Sequence, residues 1–504
     1  MRIGIDFGTS YSAAGALVDD RVQLVRFGDA LQFRTTAFFP HAIPDPNDFA
    51  LTPALEAQVA RLLASAKAAQ TRALHRANLL RAQAQQAPVA RRAEALALVA
   101  TPSLRSDEQL RREAVVSVRR HWLEQQMQQA RASAASLQHA VYGDDAIDAY
   151  LAEGGGHLVD SPKSMLGYRL HGAARHTILG IATHILEHIR LTAGQQLGTV
   201  VRGAVIGRPV EFRSSMGEAG GVQALEILRE AASAAGFDAV EFLEEPAAAA
   251  LDFHRSQAGP QRALIVDVGG GTTDVAFAQL GGRAARPRIR GAWGIAEGGV
   301  DVDLALSLRR FMPLFGKDLS AVPVHRYSEA ASVHDLQRQR DFRRCRFDDA
   351  PAPFASRLAA LQAAGNTVRL NRSVELAKIG LSEHASWQAG LDYIEPGLAA
   401  SATREHLEIA AARFLGGLER LLARVGTQLD AAPTTLFVTG GMSRAPYVRA
   451  AVQAAFPDAR LVAGDPSLGV VSGLAVAAGG RPRTSARQSS RSREPGAAQF
   501  PGTR

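Results

Sequence analysis

The stretch that most constrains this chain is Ala263-Leu-Ile-Val-Asp267-Val-Gly269-Gly270-Gly271-Thr272-Thr273-Asp274-Val-Ala-Phe277. Its apolar opening, Ala263 to Val266, reads as a buried strand. The strand ends at an acid, and three glycines then take a turn tighter than side-chain-bearing residues can follow. Alternation resumes at Val275 and Phe277, which puts the glycines at a hairpin tip. Successive backbone N–H groups there suit a cradle for phosphate oxygens, and Thr272 and Thr273 add hydroxyl donors. Asp267, at the strand end, is placed to hold a hydrated metal ion. A glycine-rich hairpin that binds nothing is the competing reading.

A second copy argues against that bland alternative. Residues 3–12, Ile-Gly-Ile-Asp6-Phe-Gly8-Thr9-Ser10-Tyr11-Ser12, repeat the strand, acid, glycine and hydroxyls. Asp6 and Asp267 stand 261 positions apart in a chain of 504 residues. One device used twice implies two related lobes facing each other. Two such hairpins would close on one nucleotide, with both carboxylates near one Mg²⁺.

A chain this long, 46% hydrophobic, buries more than one core. Met1-Arg-Ile-Gly-Ile-Asp6 enters a strand at once and leaves no room for a signal peptide. No uncharged apolar run of about 18 residues is present, so no membrane span is expected. The single cysteine, Cys345, excludes an intramolecular disulfide framework, and the cytoplasm is the expected location. Flanking arginines could lower the Cys345 thiol pKa, although an incidental residue is the simpler reading. The net charge of +8 is carried by appendages: residues 54–140 hold +7 and residues 479–504 hold +5, leaving −4 elsewhere. Without aromatic interleaving these basic segments read as solvated faces rather than nucleic-acid surfaces. Of 57 basic residues only Lys67, Lys163, Lys317 and Lys378 are lysines. A retained lysine can mark a need for a compact ammonium.

Along the chain, Pro53 to about Tyr150 turns to Ala, Gln, Leu and Arg. Leu55, Val59, Leu62 and Leu63, then Val115, Val118 and Trp122, recur at helical spacing. This predicts long helices broken near Pro88 and Pro102, forming either a projecting arm or an insertion packed on its own lobe. Gly154–Gly156 close it. His157 to Gly167 reads as strand, proline-set turn and short helix presenting Lys163. His184 and His188 lie one helical turn apart but lack further zinc ligands nearby, so they read as surface histidines. Glu244-Glu245-Pro246 starts an alanine-smooth helix. Gly298, Gly299 and Asp301 form a glycine turn leading into a helix. Residues 316–365 read as irregular. Glu375, Lys378 and Ser382 share one helical face. Gly440, Gly441, Met442 and Arg444 follow a strand as a second glycine turn. The tail from 479 reads as disordered.

In this order the motifs resemble the ATPase domain of the seventy-kilodalton heat-shock chaperone family, within the actin and sugar-kinase superfamily. Ile3–Ser12, Ser161–Gly167, Glu244–Ala250, Leu264–Val275 and Val438–Pro446 carry the resemblance, supported by Val374–Ser382 and Gly298–Asp303. It spans residues 1 to about 478 apart from the helical insertion, and looks most like the short, YegD-like bacterial branch. Bacterial actins of the MreB type share both hairpins and the Glu-Glu-Pro element. They lack the Pro162-Lys163 turn and the Gly-Gly-x-Ser-Arg-x-Pro reading of the adenosine turn.

The resemblance implies an α/β, two-lobed actin-like ATPase fold of duplicated ribonuclease-H-like domains. The first lobe would cover 1–200 with the insertion at about 53–152. Residues 201–478 would form the second lobe and the return to the first, with 272–435 mainly second lobe, before a disordered basic tail at 479–504. It implies ATP and Mg²⁺ as ligands, with Asp6 and Asp267 positioning the metal through water. Gly8, Thr9, Ser10 and Tyr11, with Gly269, Gly270, Gly271, Thr272 and Thr273, would hold the β- and γ-phosphates. Lys163 would stabilise γ-phosphate charge and orient water, assisted by Glu245 and Thr272. Gly298 and Gly299 would lie beside the nucleotide; Glu375, Lys378 and Ser382 would meet the ribose, and Gly440, Gly441, Met442 and Arg444 would flank the adenine. Ile379 stands where the family carries an arginine that stacks on adenine. Met442 replaces a small polar residue, Val300 an acid, Ser467 an Asp and Thr273 a common Phe.

Three functions are therefore weighed. The first is a chaperone-type ATPase whose lobes close on ATP. It would lack the usual peptide-binding domain, so a client protein would dock on a lobe surface, the insertion or a separate protein. The second is a filament-forming ATPase of the actin or MreB type. The third is a small-molecule kinase, for which no sugar-binding motif is present.

Overall fold

The computed structural model describes residues 1–39, 49–86, 104–132, 140–153, 157–170, 172–282, 284–465 and 468–480, with isolated positions between 88 and 99. Pro102, Gly154–Gly156, Ser467 and the tail from residue 481 lie outside the described residues.

Two sheets share one plan. In the first, β1 (Arg2–Phe7), β2 (Tyr11–Val18) and β3 (Arg21–Leu24) form an antiparallel meander, with β4 (Phe33–Arg34) on β2. The chain next builds a side sheet from β5 (Thr36–Phe39), β6 (Val141–Tyr142) and β7 (His157–Asp160). It then returns, adding β8 (Gly203–Arg208) parallel to β1 and β9 (Ala239–Glu244) parallel to β8. The order is β3-β2-β1-β8-β9. In the second sheet β10 (Gln261–Val268), β11 (Thr273–Leu280) and β12 (Arg288–Ile295) repeat the meander. β13 (Ser386–Gly390) and β14 (Ala399–Thr403) stand apart as a hairpin. β15 (Thr435–Thr439) and β16 (Arg460–Ala463) then add in parallel, giving β12-β11-β10-β15-β16. The duplication expected from Asp6 and Asp267 is thus present in the topology, and the fold is the two-lobed actin-like arrangement. β8 and β9 belong to the first sheet, so a first lobe drawn by sheet membership runs beyond residue 200.

Each sheet ends by feeding a helix: Glu245–Arg255 after β9 and Gly469–Gly479 after β16. These two helices cross between the sheets. Ala248, Ala249, Ala250, Phe253, Val470 and Leu474 bury there against Val205 of the first sheet and Ile265, Ala276 and Phe437 of the second. Small residues permit the close approach. A Cβ on Gly473 would sit 1.8 Å from the Ala248 carbonyl oxygen, and one on Gly4 would sit 2.2 Å from the Ala475 nitrogen. Separate apolar cores lie on the far side of each sheet.

The insertion contains helices Pro53–Gln85 and Asp107–Ala132, which pack on each other. Thr52 caps the first, accepting from the Leu55 N–H, with Pro53 at the first helical position. Their apolar seam is thin: Val59, Ala114 and Val118, with Phe49 edge-on to Trp122. Residues 316–365 are not irregular. Helices Val324–Ala331, Leu336–Arg344 and Phe354–Gln362 bury Tyr327, Phe342, Leu358 and Leu361 in the second-lobe core. Helices of eight or nine residues complete little more than two turns, too few for a period to stand out among the surrounding charges.

Candidate functional site

The two glycine hairpins meet tip to tip. In β10–β11 the register sets Asp267 opposite Asp274 and Val268 opposite Thr273, and the Gly269 N–H closes the tip on the Thr272 carbonyl at 2.9 Å. In β1–β2 Asp6 lies opposite Ala13 and Phe7 opposite Ser12. A Cβ on Gly270 would lie 2.3 Å from Ser10 Oγ, and one on Gly271 would lie 2.7 Å from Thr9 Oγ1. The two tips are therefore in contact. The glycine turn at 298–299 stacks on the second hairpin: Gly299 N–H donates to the Gly269 carbonyl at 3.1 Å and Val300 N–H to that of Gly270 at 2.8 Å. Gly440 closes from the other side. Its φ of +85° favours glycine, and a Cβ would fall 2.4 Å from Asp267 Oδ1. Thr273 Oγ1 donates to the Glu297 carbonyl at 2.9 Å, so that hydroxyl is committed to the fold.

Beneath the tips, carboxylates converge on one ammonium. Ser161, at φ +54°, turns the chain out of β7 into Pro162–Met165, a single 3-10 turn that buries Lys163. Glu245, in the first turn of its helix, faces inward and accepts from Lys163 Nζ at 2.5 Å, while Glu244 pairs with Arg208. Burial, then the Glu245 charge, pushes the Asp6 carboxyl up to about 7 against the opposing pull of Lys163. Burial and the charges of Glu245, Asp274 and Asp6 push Asp267 well above the carboxylate range. Asp274 rises to about 8, chiefly by burial and Glu245, although it accepts from the Val210 N–H at 2.6 Å. Burial lowers the Lys163 pKa, but the Glu245 and Asp6 carboxylates outweigh it and raise it.

Four acidic side chains around one ammonium form an oxygen-rich cluster, chemistry that fits a hydrated divalent cation. Among the described residues no three His, Cys, Asp or Glu converge as a direct metal cage. Sequence reasoning did not name Asp274 as a site residue. Its signal was its place in the hairpin, directly across the strand pair from Asp267.

At the expected nucleoside end the candidates are already engaged. Glu375 accepts from Arg34 at 2.8 Å and from Arg372 at 2.7 Å. Lys378 donates to Asp303 at 2.8 Å and to the Gly299 carbonyl at 3.3 Å. Ser382 donates back to the Lys378 carbonyl at 3.1 Å. Met442 is buried; its Sδ and Lys378 Nζ would each lie 3.2 Å from a Cβ on Gly299, so Gly299, Lys378 and Met442 form one cluster. Arg444, Gly441 and Ile379 are exposed. Arg34, also absent from the sequence reading, crosses from β4 to Glu375 and lies 3.5 Å from Asp160.

Several expectations are corrected. His184 and His188 are half-buried rather than on the surface; His188 stacks on Tyr142 at 4.2 Å, and burial pushes it down to about 4. Burial raises the Cys345 thiol pKa despite nearby Arg326, so its flanking arginines do not activate it. Two shallow hollows, one along helix Glu218–Ala234 and one between the insertion helices beside Leu62 and Val118, are not part of this site. No described helix is long and apolar enough to cross a membrane.

The Hsp70 protein family model matches residues 159–308, the span that carries Lys163, Glu245, the second glycine hairpin and the 298–299 turn. Together with the duplicated two-lobed fold, this match supports assigning the chain to the Hsp70 family.

Proposed function

We propose that the chain binds and hydrolyses ATP as a chaperone-type Hsp70 protein of the YegD-like branch, acting in the cytoplasm. The observation that carries this reading is the convergence of Asp6, Glu245, Asp267 and Asp274 on Lys163 beneath two touching glycine loops. The backbones of Gly8–Tyr11 and Gly269–Thr272 would grip the phosphates from opposite lobes. Lys163, held by Glu245, would meet charge developing on the γ-phosphate and orient the attacking water. Asp6 and Asp267 would hold Mg²⁺ through water, and the bound ion would neutralise phosphate charge. Glu375, Lys378 and Ser382 would face the ribose, and Gly440, Gly441, Met442 and Arg444 the base. Lobe closure and opening would pass the nucleotide state to a client docked on a lobe surface or on the paired insertion helices.

The test is nucleotide binding and phosphate release by the parent and Lys163→Met. The variant is expected to keep ATP binding and to lose about 10²–10³-fold in turnover, the scale of one lost transition-state contact. Equal turnover removes Lys163 from the mechanism, and a parent that binds no ATP removes the function.

A further inference from the structure

We propose that Arg213 is a positioning residue that registers the Lys163 turn, on the first lobe, against the phosphate hairpin of the second. The inference deepens the ATPase reading and rests on it. Arg213 lies in the loop that leaves β8, and that loop touches both halves of the site. On one side its backbone presses against the end of the Lys163 turn. Gly167 and Ser214 form a parallel bridge, and a Cβ on Gly167 would sit only 2.2 Å from the Arg213 carbonyl oxygen. On the other side the loop is fastened to the second lobe. Val210 N–H donates to Asp274 at 2.6 Å, Arg213 Nε donates to the Ala296 carbonyl at 3.2 Å, and Arg213 Nη2 forms an ion pair with Asp301 Oδ1.

Asp301 carries the connection inward. Its other oxygen accepts the Gly298 N–H at 2.8 Å, and the next two amides donate to the carbonyls of Gly269 and Gly270. An unbroken series of contacts thus runs from the Lys163 turn through Arg213 and Asp301 to the glycines that would hold phosphate. The guanidinium suits this place because its fixed fork serves a carbonyl and a carboxylate at once, which one ammonium does less well. The side chain is 19% exposed and makes polar contacts, to the Ala296 carbonyl and the Asp301 carboxylate. None of its contacts is to a group that would touch phosphate. Its effect lies in the spacing between the Lys163 ammonium and the hairpin, and a displacement near 1 Å there costs about 10²-fold in rate.

The experiment measures ATP affinity, turnover and thermal midpoint for the parent, Arg213→Met, Arg213→Lys, Asp301→Asn and the double variant. Arg213→Met is expected to lose about 10–100-fold in turnover, with the nucleotide Kd within about 3-fold of the parent. Arg213→Lys should recover part of the loss, and Asp301→Asn should add little to Arg213→Met because both break one connection. A merely structural role would instead lower affinity, turnover and midpoint together. Parent-like turnover in Arg213→Met, equal losses in affinity and rate, or fully multiplicative effects would each overturn the inference. If Arg213→Met fails to fold, Arg213→Lys carries the same comparison. A parent that binds ATP without hydrolysing it refutes the ATPase reading itself, and this inference with it.

Discussion

Replacing Arg34 by Met tests how the two lobes are joined at the mouth of the cleft. The Arg34 side chain is 5% exposed, lies 2.8 Å from Glu375 on the second lobe and 3.5 Å from Asp160 on the first. Asp160 also accepts from Thr36 Oγ1 at 2.5 Å and lies 3.3 Å from His334 of the second lobe. Burial alone would raise the Glu375 pKa, but Arg34, then Lys378 and Arg372, bring it from 4.5 down to about 2. A drop of that size corresponds to about 3 kcal/mol of differential stabilisation. Truncating one partner of a buried pair costs about 3–5 kcal/mol. Arg372 remains on Glu375, and Thr36 and His334 on Asp160, so the lower end, about 3 kcal/mol, is expected at pH 7. The sign of the pH dependence follows from the depressed pKa. The stabilisation is fully present above the unfolded-state value of 4.5 and is lost as pH falls through about 2. Parent and Arg34→Met should therefore differ at pH 7, and the Glu375 share of the gap should shrink toward pH 2, while the share from Asp160, which Arg34 holds below the usual carboxylate range, persists to lower pH. Urea denaturation followed by tryptophan fluorescence reads this, because Trp387 packs on Gly380 of the helix that carries Glu375. A gap at pH 7 below about 1 kcal/mol, the size of an exposed ion pair, or a gap that does not shrink in acid, would refute the reasoning.

Two further outcomes follow from packing and burial. Gly473→Ala should destabilise by about 1–3 kcal/mol, because its Cβ would meet the Ala248 backbone, even though alanine favours a helix by about 1 kcal/mol; a thermal midpoint at or above that of the parent would contradict the close crossing of the two inter-sheet helices. Cys345, its thiol pKa raised by burial, should alkylate more slowly at pH 7.5 than a free cysteine and speed up in denaturant; modification of the folded protein as fast as that of a free cysteine would show an exposed thiolate.

The sequence exposed the repeated strand–acid–glycine device because hairpin tips are local. Alternation on both sides of Gly269–Gly271, and its echo at Gly8, placed both tips and both acids without tertiary knowledge. The alanine-rich start of helix Glu245–Arg255 was legible for the same reason. Residues whose meaning depends on distant partners were not. Arg34 finds Glu375 across 341 positions and Arg213 finds Asp301 across 88, and no period or motif records such pairings. Asp274 lay in plain view but read as a strand residue until the pairing set it opposite Asp267. Thr273 read as a phosphate donor, whereas its hydroxyl is spent on the Glu297 carbonyl.

The helix Gly469–Gly479 has a consequence for synthesis. It lies on β1 and β2, with Leu474 and Ala475 against Gly4 and a Cβ on Gly479 only 2.6 Å from Leu17. The strand built from residues 2–7 thus receives its cover more than 460 positions later in the chain. On the ribosome that sheet would wait, one apolar face bare, while the entire second lobe is translated. Nascent chains of this kind expose a sticky surface for many seconds at about 5–20 residues per second. The chain would thus depend on shielding during its own synthesis.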